Sequence, residues 1–463
     1  MRAAFALLLA AGTVTLAAQA PLPSRGRGQA PLPAAQPAST LPASPVAAAP
    51  ASASAEVTGP GPMFTSLMPL PAGDDLARFR YEAREYFVSG TANGQPYRTR
   101  LVVRTPAEAS RFSGIVLAES MHPSGNAWMF HFTHTYTMAS GHAGVEIVTS
   151  DPAQFVELNG ARYGEMRVAP GQAPEMLAQV GALLRSTRAD NPLARLPVRR
   201  VILAGTSASA AVLINYLPAH LVLRLPDMRP IYDGFLPTSN GTTIRQVDVP
   251  MIQVPTTTEA MRGIVPVRQD GDAPGDQFRV YEFPGMPHLD TRDVEAFRPN
   301  PCTYPISRFP MSTYMAVALH HLVQWVDTGT APPRADRILM DRITANDGSL
   351  MALDEAGNPR GGIRSPYVDV PVVRYGFPNE GAVPPTPNTV PWIALRGEVG
   401  IDQLCRLTGY EIAMSPDQLR ALYGSKQNFL AKVRQRVDEL TRQGWSLPAY
   451  RDLILADAEK VRF

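Results

Sequence analysis

The residues best placed to do chemistry are a serine, a histidine and a carboxylate that follow one another along the chain. Ser207 lies in Gly205-Thr206-Ser207-Ala208-Ser209, between the apolar run Arg200–Ala204 and a stretch of small residues. A tight strand–turn–helix of this kind lifts a serine hydroxyl clear of a sheet, and it needs small neighbours where strand and helix nearly touch. Gly205 meets that need on one side. Ser209 meets it on the other and falls inside the expected helix, so Ser207 and not Ser209 is read as the nucleophile.

A serine hydroxyl is a weak nucleophile at neutral pH and needs a base, usually histidine, oriented by a carboxylate. On a sheet of this type the chain order is serine, acid, histidine. Of the eight histidines, only His288, His320 and His321 lie well downstream of Ser207. His288 follows a strand-like run in Gly285-Met286-Pro287-His288, the loop a base requires. His320 and His321 sit within an apolar helical stretch and read as packing or surface residues. The acid should follow the strand before that of the histidine. Glu259 is the first carboxylate there, in Pro255-Thr256-Thr257-Thr258-Glu259, with Asp270 and Asp272 as rivals further along a polar loop.

Acyl transfer also needs donors for a developing oxyanion. The backbone N–H of Ala208, the residue after the nucleophile, is one. The loop Glu119–Gly125 should supply the other, and the Met121 amide is the favoured candidate, with His122 able to touch substrate. Metal chemistry has little support. His131 and His134 are three apart, flanked by Phe130 and Phe132, with no HExxH string or Cys/His cluster. No glycine-rich phosphate loop follows a strand. The reading is a cofactor-free hydrolase of small-molecule esters, with amides or peptides as alternative substrates and a non-catalytic binding protein as the alternative class.

Positioning such a site requires alternating strands and helices around a mostly parallel sheet. After two patterned segments, Phe79–Val88 and Tyr97–Val103, the expected strands are Gly114–Ala118, Val145–Thr149, Arg200–Ala204, Pro230–Phe235, Pro250–Pro255 and Phe278–Phe283. Helices are expected at Pro174–Arg188, Ser207–Leu217 and Ser312–Val326, from apolar residues at three- and four-residue spacing. Residues 61–329 make the core. Residues 330–463 read as an extension wrapping it, with helices at Pro416–Leu422 and Lys426–Gln443; Ser415-Pro416 is a good cap and first-turn pair.

The 463 residues carry a net charge of +2, with 18% charged and 45% hydrophobic side chains. That balance lacks the basic stripe that nucleic acid or an anionic membrane surface needs. Residues 1–20 combine Arg2, an apolar run and Ala18-Gln19-Ala20, the pattern of a secretory signal peptide. The run is too short and too small in its side chains for a membrane span. Residues 21–60 are nearly all Pro, Ala, Ser and Gly and read as a disordered linker. Export to the periplasm or the extracellular space follows. The two cysteines, Cys302 and Cys405, could form a disulfide there, provided the fold brings their Cα atoms within about 7 Å.

Taken together the motifs resemble a bacterial family known as the α/β hydrolase domain family, large exported proteins read as esterases. The similar strings run from Gly114–Glu119 and Arg162-Tyr163-Gly164 through the Gly205–Ser209 turn, Asp233–Leu236 and Gly285–Asp290. They continue with Trp325–Gly329, Gly361–Pro366 and Leu404–Gly409. The resemblance implies an α/β-hydrolase fold and a serine hydrolase mechanism, with Ser207 and His288 on the nucleophile and base positions. The family tends to show a T-E-x-D-like string after the acid strand, of which Thr256–Glu259 retains the last carboxylate. Ala208-Ser209 departs from a common Q-S-G continuation.

Overall fold

The computed structural model describes residues 41–71, 73–292, 300–344, 348–382 and 401–463. The expected signal peptide and the first half of the expected linker lie outside them. Ten of the described segments form one sheet. In chain order they are β1 (Ser52–Ala53), β2 (Tyr81–Ala92), β3 (Gln95–Pro106), β4 (Ile115–Ser120) and β5 (Ala143–Ile147). Then come β6 (Arg200–Thr206), β7 (Gly234–Thr238), β8 (Met251–Gln253), β9 (Gly271–Ala273) and β10 (Asp276–Val280). Across the sheet the order is β9-β10-β8-β7-β6-β4-β5-β3-β2-β1. From β10 to β5 every neighbouring pair is parallel. The β1–β2–β3 edge and β9 are antiparallel.

Side chains alternate between the two faces of a strand, and both faces here are apolar. Val116, Ala118, Val201 and Leu203 pack on helices α2 (Ala173–Leu184) and α3 (Ala208–Val222). Ile115, Leu117, Ile202 and Ala204 face α1 (Trp128–Ala139) and α5 (Met311–Thr328). The result is an α/β-hydrolase fold: a mostly parallel sheet sandwiched between helices. Among the described residues no helix is long and apolar enough to cross a membrane.

Two expectations need correction. The linker was expected to run unstructured to residue 60, yet from Leu41 onward it is part of the body. Val46–Ala47 pairs with Leu223–Arg224, and β1 extends the sheet edge. Ala51 N donates to Gln179 O at 3.0 Å and Val57 N to Glu85 O at 2.8 Å. Composition measures how much apolar side chain a segment can bury, and it misses backbone groups that complete a neighbouring sheet edge. The strand expected at Pro230–Phe235 begins at Gly234. Ile231 and Tyr232 are buried in the approach to it, where the Tyr232 hydroxyl donates to Leu177 O at 2.7 Å.

Beyond residue 330 the chain adds a small antiparallel pair, Val373–Gly376 with Tyr410–Ala413. It also adds α6 (Ile401–Thr408), α7 (Pro416–Tyr423), α8 (Lys426–Arg442) and α9 (Arg451–Glu459). The last three pack around Leu419, Phe429, Val433, Val437 and Ile454. Leu447 and Tyr450 join the core under α5.

Candidate active site

The turn after β6 carries Ser207 with φ 54° and ψ −116°, a left-handed backbone that a serine rarely adopts. Two contacts hold it there. The Ser207 N–H donates to Thr238 O at the end of β7 (2.9 Å). Ser209 Oγ accepts from Thr206 N at 2.9 Å and donates to Thr206 O at 2.8 Å, closing the turn from inside α3. Gly205 has no room for a side chain, because a Cβ would lie 2.5 Å from Ser209 O. Ser209 is thus a structural clamp, fully buried, while Ser207 and Ala208 remain partly open to solvent.

Ser207 Oγ lies 2.8 Å from His288 Nε2, and His288 Nδ1 lies 2.6 Å from Glu259 Oε1. The three side chains come from the turns after β6, β8 and β10, at the carboxyl ends of parallel strands where open α/β sheets place their ligands. Glu259 is the third residue of α4 (Thr257–Met261), and its second oxygen accepts from Thr256 N (2.8 Å) and Thr256 Oγ1 (2.6 Å). That reciprocal cap fixes the carboxylate before the histidine meets it. Burial pushes the Glu259 carboxyl up, but the His288 ring and the two Thr256 donors outweigh it. The group titrates below its ordinary range. A carboxylate so held accepts from the imidazole, fixes the ring orientation and favours a proton on Nδ1, leaving Nε2 to accept from serine.

His288 is also fixed through its backbone. Its N–H is shared between Thr258 Oγ1 (3.2 Å) and Leu407 O (3.1 Å), and Leu289 N donates to the same Leu407 carbonyl at 3.1 Å. Nothing in the spacing of the sequence pointed to Leu407. The role of Thr256 was legible in principle, since Thr-x-x-Glu is the signature of a capping box.

The other sequence candidates fall elsewhere. Asp270 accepts from Val280 N and Arg337, and Asp272 pairs with Arg279 and Arg334 at the β9 edge of the sheet. The Met121 amide is a correction. It donates to Ile147 O at 2.8 Å, so the pairing of β4 with β5 continues one residue past Ser120 and occupies the proposed oxyanion donor. The amides of His122, Ser124 and Gly125 bond within their own loop, to Asn126 O, His122 Nδ1 and His122 O. The Ala208 amide opens α3, whose first turn has no intrahelical acceptors. His131 and His134 lie on α1, the latter against His131 O and Asp74. Among the described residues no group of three or more potential ligands gathers to hold a metal. His320 meets the Tyr136 hydroxyl and His321 bonds Gly444 O.

No apolar period in the sequence marks α1, most of whose side chains are buried. Its first turn meets the end of β7, the strand end that also holds the Ser207 amide, with the Thr238 hydroxyl donating to Met129 Sδ at 3.2 Å. Glu119 caps it, accepting from Met129 N and Phe130 N at 2.9 and 2.8 Å.

Solved structures similar to this chain include a cold-adapted esterase from an Arctic intertidal metagenomic library. It is 10% identical, with 43% of this chain and 84% of that one covered and a TM-score of 0.24. A lipase/esterase from Lactobacillus plantarum is 13% identical, with 39% and 81% covered and a TM-score of 0.26. No curated protein matches the chain. A family model described as "Alpha/beta hydrolase domain" matches residues 29–456. A match over that span, on a chain with this sheet order, means that the chain belongs to the alpha/beta hydrolase domain family.

Proposed function

We propose that the protein is an exported serine hydrolase that cleaves carboxylic esters through an acyl-enzyme. The observation that carries the reading is the continuous chain Ser207 Oγ–His288–Glu259, with contacts of 2.8 and 2.6 Å. Ser207 attacks the ester carbonyl while His288 Nε2 takes its proton. Glu259 holds the ring through Nδ1 and stabilises the imidazolium that forms. The oxyanion develops beside the Ala208 amide, where the N-terminal end of α3 favours negative charge. His288 then returns the proton to the departing alkoxide. In the second half, His288 activates water, which attacks the acyl-serine and releases the acid.

The Cys302–Cys405 disulfide, with Cα atoms 5.7 Å apart, supports export, since such bonds persist in oxidising compartments. The test is turnover of short- and long-chain p-nitrophenyl esters beside matched anilides and peptides. Ester hydrolysis that disappears in Ser207→Ala supports the reading. Cleavage of amides at comparable rates would overturn the ester assignment, and ester turnover retained by Ser207→Ala would overturn the mechanism.

A further inference from the structure

The histidine of the site is held from three directions. Glu259 holds its ring, and Thr258 Oγ1 accepts from its backbone; both belong to α4, which the sheet positions. The third hold is Leu407 O, which accepts from His288 N and Leu289 N, both at 3.1 Å. Leu407 belongs to α6, in the C-terminal extension. Cys405, two residues before Leu407, is bonded to Cys302, in the segment that follows the histidine loop. That segment is itself fastened. Thr303 N donates to Glu380 O at 2.8 Å, and Asn379 Nδ2 bridges Tyr304 O and Gly409 O at 3.1 and 3.0 Å. Thr291 Oγ1 donates to Ser307 O at 2.6 Å, tying the end of the histidine loop to the same stretch. Both sulfurs are buried.

We infer that the Cys302–Cys405 disulfide is a positioning device for the catalytic base, clamping α6 so that the Leu407 carbonyl holds the His288 backbone in register with Ser207. The inference rests on the serine hydrolase reading for its kinetic consequence, but the clamp is a structural claim that can be read without turnover. The two cysteines are positioning residues; neither touches the reacting atoms. Opening the clamp takes two electrons and two protons from a dithiol. The S–S bond breaks to give two thiols, and the dithiol closes to its own cyclic disulfide.

The experiment compares the oxidised full chain with Cys302→Ser/Cys405→Ser, both confirmed folded at the assay temperature. Backbone hydrogen exchange at His288 and Leu289 should speed up by about tenfold or more, while the Ser207 amide, bonded to Thr238 O, keeps its protection. Turnover should fall by about tenfold or more in kcat with KM changed less than about threefold, because a small displacement of the base spoils the reaction geometry without removing substrate contacts. If the double variant does not fold, wild-type protein reduced with dithiothreitol below its melting transition gives the same comparison. Unchanged exchange at 288 and 289 would overturn the clamp. Faster exchange with kcat within about twofold of the oxidised enzyme would overturn the positioning role. An oxidised protein that turns over no ester would defeat the functional reading instead, and the exchange comparison would still decide the clamp.

Discussion

Glu259→Gln is the substitution whose outcome the geometry constrains most tightly. The carboxylate accepts on both sides: from His288 Nδ1 at 2.6 Å, and from Thr256 N and Oγ1 at 2.8 and 2.6 Å. An amide has one accepting oxygen. The Thr256 N–H can only donate, so the glutamine oxygen turns to Thr256 and its NH2 group faces the imidazole. The ring must then present a lone pair at Nδ1, which moves its proton to Nε2, toward Ser207 Oγ. That tautomer cannot accept the serine proton. Loss of the correct tautomer and of the charge opposite the imidazolium should lower kcat by about 10³–10⁴, or ~4–5.5 kcal/mol of barrier at 1.36 kcal/mol per tenfold. The assay is steady-state hydrolysis of a short p-nitrophenyl ester, with Asp270→Asn and Asp272→Asn as comparisons. Those two should stay within about threefold of wild type, because their oxygens serve arginines at the sheet edge, where pairs matter little to the reacting groups. A Glu259→Gln enzyme within tenfold of wild type, or a larger loss in either aspartate variant, would refute the assignment of the acid.

Burial holds His142 and His321 neutral, each titrating at about 4, with the nearby His320 adding to the effect. In the unfolded chain they take up protons near pH 6.5, so stability is intact above that value and falls as pH drops toward 4. The loss should be about 1.4 kcal/mol per pH unit for each histidine, read as the slope of urea-unfolding free energy between pH 4.5 and 6.5. His142→Gln/His321→Gln should flatten that slope, and an unchanged slope would discount both residues. Gly205→Ala should cost about 1–3 kcal/mol by overpacking. The cost falls at the upper end, because the new methyl meets helix backbone at Ser209 O; calorimetry checks this. Arg100 is fully buried between Glu85 and Glu146, and it also donates to Ser66 Oγ and Phe64 O. Arg100→Ala leaves two buried carboxylates short of a partner and should cost about 3–5 kcal/mol, measured by chemical denaturation.

What the sequence made legible follows from how local each signal is. Gly205–Ser209 encodes its own turn, because strand, small residues and helix are contiguous. His288 and Glu259 could be ranked because chain order on such a sheet restricts where a base and an acid enter. Other features depend on partners far away in sequence. The Met121 amide is occupied only because β5 extends opposite it, and the Leu407 carbonyl reaches His288 from a helix more than a hundred residues later. Helix α1 was missed for a different reason. Trp128, Met129, Phe130 and Phe132 are all buried, so no polar face reveals its period. Residues 41–60 were misread because their order comes from backbone pairing along the sheet edge, which composition does not register.

The central claim is that Ser207 is an activated nucleophile. The direct measurement is labelling of the native full chain with a fluorophosphonate, followed by mass spectrometric mapping of the adduct. The account predicts one phosphonylated residue, Ser207, with labelling lost in Ser207→Ala, strongly slowed in His288→Ala and retained in Ser209→Ala. Adduct on another residue, or no adduct on a folded protein that hydrolyses esters, would contradict it.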